Sequence, residues 1–297
     1  MIRIFGTVFA GLLGLAFGSF LNVCLSRWPE GESVVNPRSH CRSCGRELAL
    51  WENVPVVSWL ALRGRCRTCK AGISWRYPLI ELLLGALWAT IAWRTIAWLT
   101  DVPLSTLGLA DGPVRSIGLF MLSWLLVALA ILDAEHLWIP NSITYPGICI
   151  GLLLTGIHFL LMEWEAEGPH LSKLSTLMNG FLGSLIAILI SAGIVFLIRW
   201  SYWLIRRREG IGLGDAKLMA MLGAWLGLSG AILSFGIGVV LGALFAMVAL
   251  AVPAGRRQSE TWLAAKLPLG TFLCIGGIIS ALWGQPIINT YRHWAGF

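Results

Sequence analysis

Apolar stretches of roughly 18 or more residues recur along this chain, and that is the length a helix needs to cross the hydrocarbon of a bilayer. In that solvent every backbone amide and carbonyl must find its partner inside the segment, so each stretch is committed to a helix. The chain has 297 residues, of which 57% are hydrophobic and 12% charged. A soluble domain carries about twice that charge density. The expected fold class is therefore an all-α polytopic membrane protein. Eight spans are marked, near residues 4–25, 79–99, 115–133, 143–162, 179–204, 216–229, 231–253 and 267–284. The sixth is short and glycine-rich, and it parts from the seventh only around Ser229. Gly11, Gly14 and Gly18 have the spacing that lets two helices approach closely. The first span is long and continuous and lacks a convincing cleavage site, so it reads as a helix rather than a removed signal peptide.

The net charge of +7 then reports topology, not a nucleic-acid partner; the partner that this composition calls for is membrane lipid. Basic residues crowd the loop after the first span: Arg27, Arg38, Arg42, Arg46, Arg63, Arg65, Arg67, Lys70 and Arg76. Arg206, Arg207 and Arg208 follow the fifth span, and Arg256, Arg257 and Lys266 follow the seventh. The alternate loops carry Asp101 and Asp111, or Glu163, Glu165 and Glu167, with Arg115 and Lys173 as exceptions. Basic loops stay in the cytoplasm, which puts loops 27–78, 134–142, 205–215 and 254–266 there and both termini outside, although Arg3 argues weakly against that at the N-terminus. On this division residues 1–26 are the first transmembrane helix, 27–78 a small cytoplasmic loop domain, and 79–297 a membrane core.

The loop contains CRSC at Cys41 and Cys44 and CRTC at Cys66 and Cys69, separated by twenty-one residues. Two such pairs form a zinc pattern. Four thiolates on two tight knuckles close a tetrahedron around one ion and leave no open position, so the expected role is structural. Disulfides are the competing reading, and a reducing cytoplasmic placement disfavours them. Gly45 suits the knuckle turn, and Arg42 and Arg67 favour ionised thiols. His40 reads as a loop residue. Cys24, Cys149 and Cys274 lie in apolar segments and read as small buried hydrophobes.

Two carboxylates stand at span ends. Asp133 closes the third span within ILDAEHLWIPNSITYP, and Asp215 opens the sixth within GIGLGDAKLMA. The topology puts both on one side at similar depth. Gly212 and Gly214 allow a bend or a close approach before Asp215. Intramembrane carboxylates are costly and are functional candidates by default. Asp133 by itself reads equally well as a headgroup-level residue, and Glu135 and His136 read that way. Two carboxylates that share a proton can act as general base and general acid, which is aspartyl protease chemistry. Lys217 reads as a snorkelling or loop-anchoring cation beside the site. The chain shows no His-Glu-x-x-His zinc motif, no G-x-S-x-G elbow, no P-loop and no dinucleotide glycine fingerprint.

Taken in order, the segments GSFLNVCLSRWP, SHCRSCGREL, ENVPVVSW, GRCRTCKAGISWRYPLIELL, Asp133 with the following IPN, GLGDAKLMAMLGAWLG and LPLGTFL resemble the bacterial type IV prepilin peptidases, membrane aspartyl proteases of the GxGD kind. The resemblance runs nearly the whole chain. It implies that Asp133 and Asp215 are the catalytic pair, that Gly212 and Gly214 shape the second site, and that Cys41, Cys44, Cys66 and Cys69 bind zinc. It further implies cleavage of prepilin and pseudopilin leaders after a glycine at the cytoplasmic face of the bacterial inner membrane. The complete 18–83 segment implies N-methylation of the new terminus with S-adenosylmethionine. Glu81, early in the second span, is the residue placed on the methylation side; a salt bridge to Arg76 is an equal reading. Two positions depart from the family pattern: Asn141 where an aspartate usually follows IP or LP, and PLGTF where PFGP is commoner. A peptidase without methyl transfer, and an ion-coupled transporter or membrane scaffold, are the competing functions.

Overall fold

The computed structural model describes residues 1–101, 112, 114–165, 170–207, 212–251 and 268–296. Arg208, Asp111, Glu167, Arg256, Arg257, Lys266, Leu267 and the Gly210–Ile211 start of GIGLGDAKLMA lie outside the described residues, as do the side chains of Asp101, Glu163, Glu165 and Lys173. Among the described residues eight α-helices run in chain order: α1 Ile2–Arg27, α2 Val57–Ala61, α3 Arg76–Asp101, α4 Arg115–His136, α5 Asn141–Glu165, α6 His170–Arg206, α7 Leu213–Ala251 and α8 Leu269–Ala295. Seven of them, all but α2, are long and apolar enough to cross a membrane. Their outward faces are greasy: Phe5, Phe9, Leu12, Leu189, Phe196, Leu197, Val240 and Val248 are all exposed. In water such faces would be sticky patches; against lipid tails they cost nothing. The protein is a multi-pass, all-α membrane protein. The chain divides into two compact units, Met1–Leu107 and Gly108–Phe297.

In the first unit α1 and α3 pack antiparallel. A Cβ on Gly14 would stand 2.6 Å from the Leu84 carbonyl, and one on Gly18 would stand 2.7 Å from the Glu81 Cα. The small residues of α1 thus bring two backbones into contact, as their spacing suggests. Asn22 is buried there and donates to the Tyr77 carbonyl at 3.0 Å, which satisfies its amide. The intervening loop has little core of its own and is tied down by polar bonds. The buried Arg27 guanidinium donates to the carbonyls of Ser33 (2.9 Å) and Pro37 (2.7 Å), and Arg42 donates to the Ser26 carbonyl (2.6 Å).

In the second unit the element that departs from the marked spans is α7. As a straight rod its 39 residues would measure roughly 58 Å, nearly twice the hydrocarbon thickness. Gly227 breaks it with φ 68° and ψ −177°, a backbone state that glycine alone adopts readily. The contacts on either side run in opposite directions along α8. Before the break, Gly214 lies at the level of Gly270, because both meet Ile139, and Leu222 reaches Gly277. After it, Leu233 meets Gly284, Ser234 meets Gly276, Gly238 meets Leu273 and Gly242 meets Phe272. α7 is therefore a helical hairpin, and its two halves are the sixth and seventh spans of the sequence, with the reversal at Gly227 instead of Ser229. Of the three cysteines outside the knuckles, Cys24 and Cys274 are buried but Cys149 is exposed. It lies on the face of α5 away from Gly147 and Gly151, which pack on Met221 and Trp225, so apolar surroundings there do not mean burial.

Candidate active site and metal centre

The cysteine loop folds into two matching knuckles. In the first, Gly45 N–H donates to Cys41 O (2.8 Å) and Cys41 N–H to Arg46 O (2.9 Å); in the second, Lys70 N–H donates to Cys66 O (3.1 Å) and Cys66 N–H to Ala71 O (2.8 Å). The residue after each second cysteine turns left-handed, Gly45 at φ 71° and Lys70 at φ 60°. The sulfurs of Cys41, Cys44, Cys66 and Cys69 all lie within 4.8 Å of one another, with Cys41 to Cys69 at 3.7 Å. Tetrahedral zinc with Zn–S near 2.3 Å needs sulfurs about 3.8 Å apart, so the four positions can hold a metal ion of this kind. Backbone N–H groups of Cys69 and Thr68 pull the Cys66 thiol down to about 6, and those of Cys44 and Ser43 lower Cys41. Both shifts favour the thiolates that a metal requires, whereas burial and the hydrogen bonds of Cys66, Cys41 and Cys44 push the Cys69 thiol up to about 11. His40 stays out of the cluster, with Nδ1 3.1 Å from the Arg38 carbonyl. Arg46 carries a second load: its guanidinium binds the buried Glu52 carboxylate at 2.7 and 3.0 Å.

The aspartates meet at one end of the second unit. Asp133 sits in the last turn of α4 and is 6% exposed; Asp215 sits in the first turn of α7 and is 8% exposed. They are close enough to interact electrostatically, and the buried Cys274 of α8 lies within reach of both. The chain beyond Asp133 explains how they come together. α4 ends at Leu137, held left-handed at φ 51° and ψ 40°, with its N–H returned to the Asp133 carbonyl at 2.9 Å. That turn swings Ile139 back between the two acidic ends. A Cβ on Gly214 would lie 3.1 Å from Ile139 Cβ, and one on Gly270 would lie 2.7 Å from Ile139 Cδ1 and 2.9 Å from Asp133 Oδ2. Gly214 supplies room for this wedge, not an unusual φ. Gly212 N–H donates to Asp215 Oδ2 at 3.2 Å. Asp133 Oδ2 accepts the Thr271 N–H at 2.7 Å.

Lys217 is one turn past the start of α7 and donates to Asn141 Oδ1 at 2.7 Å, with Nζ 5.5 Å from the Tyr145 ring. It ties the N-terminus of α5 to the start of α7. In the first unit, Glu81 is buried on α3 and its Oε2 accepts the Val56 N–H at 2.6 Å; the Ser19 hydroxyl of α1 also bonds it. Val56 has φ 60°, a state that a β-branched residue adopts only under strain. Glu30 and Arg42 pair at 3.2 Å on the exposed surface. Ile139, Thr271 and Val56 carry no sequence signal that marks them as part of a site. Ile139 lies within IPN, Thr271 within PLGTF and Val56 within ENVPVVSW, but nothing local shows that any of them reaches a carboxylate.

Both knuckles and both aspartates fall in regions shared with known proteins. Residues 12–95 match the bacterial peptidase A24 N-terminal domain, and residues 120–247 match the type IV leader peptidase family. The chain is 33% identical to the prepilin leader peptidase/N-methyltransferase of Pseudomonas aeruginosa, over 96% of this chain and 93% of that protein. Proteins of the same name are 34% identical in Aeromonas hydrophila (94% of this chain, 91% of that protein) and 35% identical in Burkholderia pseudomallei (94% and 85%). No solved structure matches. With likeness over nearly its full length, and with the ordered segments of the resemblance all present, this chain belongs to the type IV leader peptidase family.

Proposed function

We propose that the protein cuts the leader from type IV prepilins, secretion pseudopilins or both, after a glycine, and N-methylates the new terminus. The observation that carries the reading is the approach of two buried carboxylates, Asp133 and Asp215, around Ile139. In the proposed reaction the ionised aspartate takes a proton from water, and the hydroxide oxygen bonds to the scissile carbonyl carbon. The protonated aspartate gives its proton to the carbonyl oxygen. The C–N bond then breaks as a proton moves to the leaving amine. Burial favours this chemistry, because two carboxylates in a shielded site cannot both hold their charge cheaply. The positive-inside pattern supports a bacterial inner membrane location, with loop 27–78 and both aspartates facing the cytoplasm. A prepilin presents its basic leader there and its apolar helix to the bilayer.

In this assignment residues 27–78 form a methyltransferase-associated domain held by structural zinc on Cys41, Cys44, Cys66 and Cys69, and residues 79–297 form the peptidase core. Gly212, Gly214 and Lys217 support the catalytic end of α7. S-adenosylmethionine would supply the methyl group to the freed amine. Glu81 is the candidate on that side: a buried carboxylate against the loop, suited to orient a cationic group or an amine.

The test is mass spectrometry of a prepilin incubated with the purified protein and S-adenosylmethionine. Cleavage after the leader glycine plus one methyl mass is expected from wild type. Asp133→Asn and Asp215→Asn should each leave the substrate intact, and Glu81→Gln should cleave without methylating. Full cleavage by either Asn variant would remove the dyad. Cleavage with no methyl in wild type leaves a peptidase alone, and no cleavage by folded, metal-loaded protein would favour a transporter or scaffold.

A further inference from the structure

The two aspartates are held in different ways. Asp215 is held by its own turn, through the Gly212 amide at 3.2 Å. Among the described residues, Asp133 is held by a different helix, and by one residue of it. Thr271 donates its backbone N–H to Asp133 Oδ2 at 2.7 Å, and its hydroxyl oxygen lies 3.2 Å from the same Oδ2 and 3.0 Å from the Ala130 carbonyl. Thr271 stands in the first turn of α8, where an amide has no acceptor within its own helix. Here the missing acceptor is a carboxylate, placed at the helix end that favours negative charge. The preceding Gly270 has no side chain to hold the two apart, since a Cβ there would lie 2.9 Å from both Asp133 Cγ and Oδ2.

We propose that Thr271 is the positioning residue of Asp133. By taking up Oδ2 with its amide and its hydroxyl, it turns Oδ1 toward the second carboxylate, the water and the scissile bond. The hydroxyl is shared with Ala130, three residues before Asp133 on α4, so the same group fixes the carboxylate relative to its own helix. This inference rests on the dyad reading, because Thr271 touches no substrate and acts only through Asp133.

The experiment measures kcat and KM for prepilin cleavage by the full chain in detergent. It compares wild type, Thr271→Ser, Thr271→Val and Asp133→Asn. Serine keeps both donors and loses the methyl group; valine keeps the shape and loses the hydroxyl. A positioning role orders the variants by chemistry: Ser stays near wild type, while Val loses about tenfold in kcat with KM unchanged, the rate equivalent of roughly one hydrogen bond. A packing role orders them by shape, with Val near wild type and Ser impaired, and that order overturns the proposal. A change in KM with kcat intact also overturns it. If Val fails to fold, Thr271→Ala compared with Ser decides by the same measure. Inactive Asp133→Asn beside unaffected Val defeats the Thr271 inference alone; active Asp133→Asn defeats the dyad on which it rests.

Discussion

Gly270→Ala places one methyl group against the proposed active site, and its effect can be worked from the geometry. The new Cβ would stand 2.7 Å from Ile139 Cδ1 and 2.9 Å from Asp133 Cγ and Oδ2. Ordinary contact begins near 3.4 Å, so both neighbours must give way. The end of the isoleucine side chain can swing aside. The carboxylate, pinned by Thr271, must shift by roughly 0.5 Å, the tolerance within which a catalytic group has to be held. A misplacement of 1 Å costs on the order of 10²-fold, so kcat should fall about 10- to 100-fold, or about 1.4–2.7 kcal/mol. Stability should change less. Gly270 has no positive φ, and alanine favours the helix by up to about 1 kcal/mol, against about 1–3 kcal/mol for the crowding. The assay is single-turnover cleavage of a prepilin, with thermal unfolding in detergent as the folding control. Wild-type kcat in a folded Gly270→Ala protein would refute the reasoning. Adding Ile139→Val removes only the Cδ1 contact, so most of the defect should remain; full recovery would show that the wedge, and not the carboxylate, bears the clash.

Two further outcomes follow from the cysteine loop. Wild-type protein should carry one zinc per chain by metal analysis, and Cys66→Ser should lose it and expose residues 28–75 to protease, because a loop with so little core depends on its metal. The Arg46 guanidinium, and then the Ala49 amide, hold Glu52 below the ordinary carboxylate value. Its stabilising effect is therefore complete above that ordinary value and is lost as pH falls through the depressed one. Protease sensitivity of the loop should rise over that acid range in wild type, whereas Glu52→Gln should already be more sensitive at neutral pH and lack that step.

Much of the architecture is legible from apolar run length alone. Bilayer thickness sets how long a helix must be, and the need to satisfy the backbone makes each run helical. That is why α1, α3, α4, α5 and α6 cover their spans and α8 begins within two residues of its own. The division of α7 is legible only as a weakness near Ser229, since a single glycine in a left-handed state, Gly227, makes the reversal. The cysteine pairs declare their chemistry by spacing, because a tetrahedron of thiolates closes from two short turns. Exposure of Cys149 is not legible, because hydropathy does not tell a lipid-facing side chain from a core one.

The sequence by itself determined which residue types stand at membrane boundaries: two aspartates at span ends, glycines before one of them, and four cysteines in a basic loop. Those are local properties, set by composition and spacing. Only the tertiary structure decided that Ile139 lies between Gly214 and Gly270, that Thr271 holds Asp133 across 138 positions of chain, and that Lys217 binds Asn141. These contacts depend on how α4, α7 and α8 pack. Packing of apolar helices is governed by small differences in shape, and no short stretch of sequence records them.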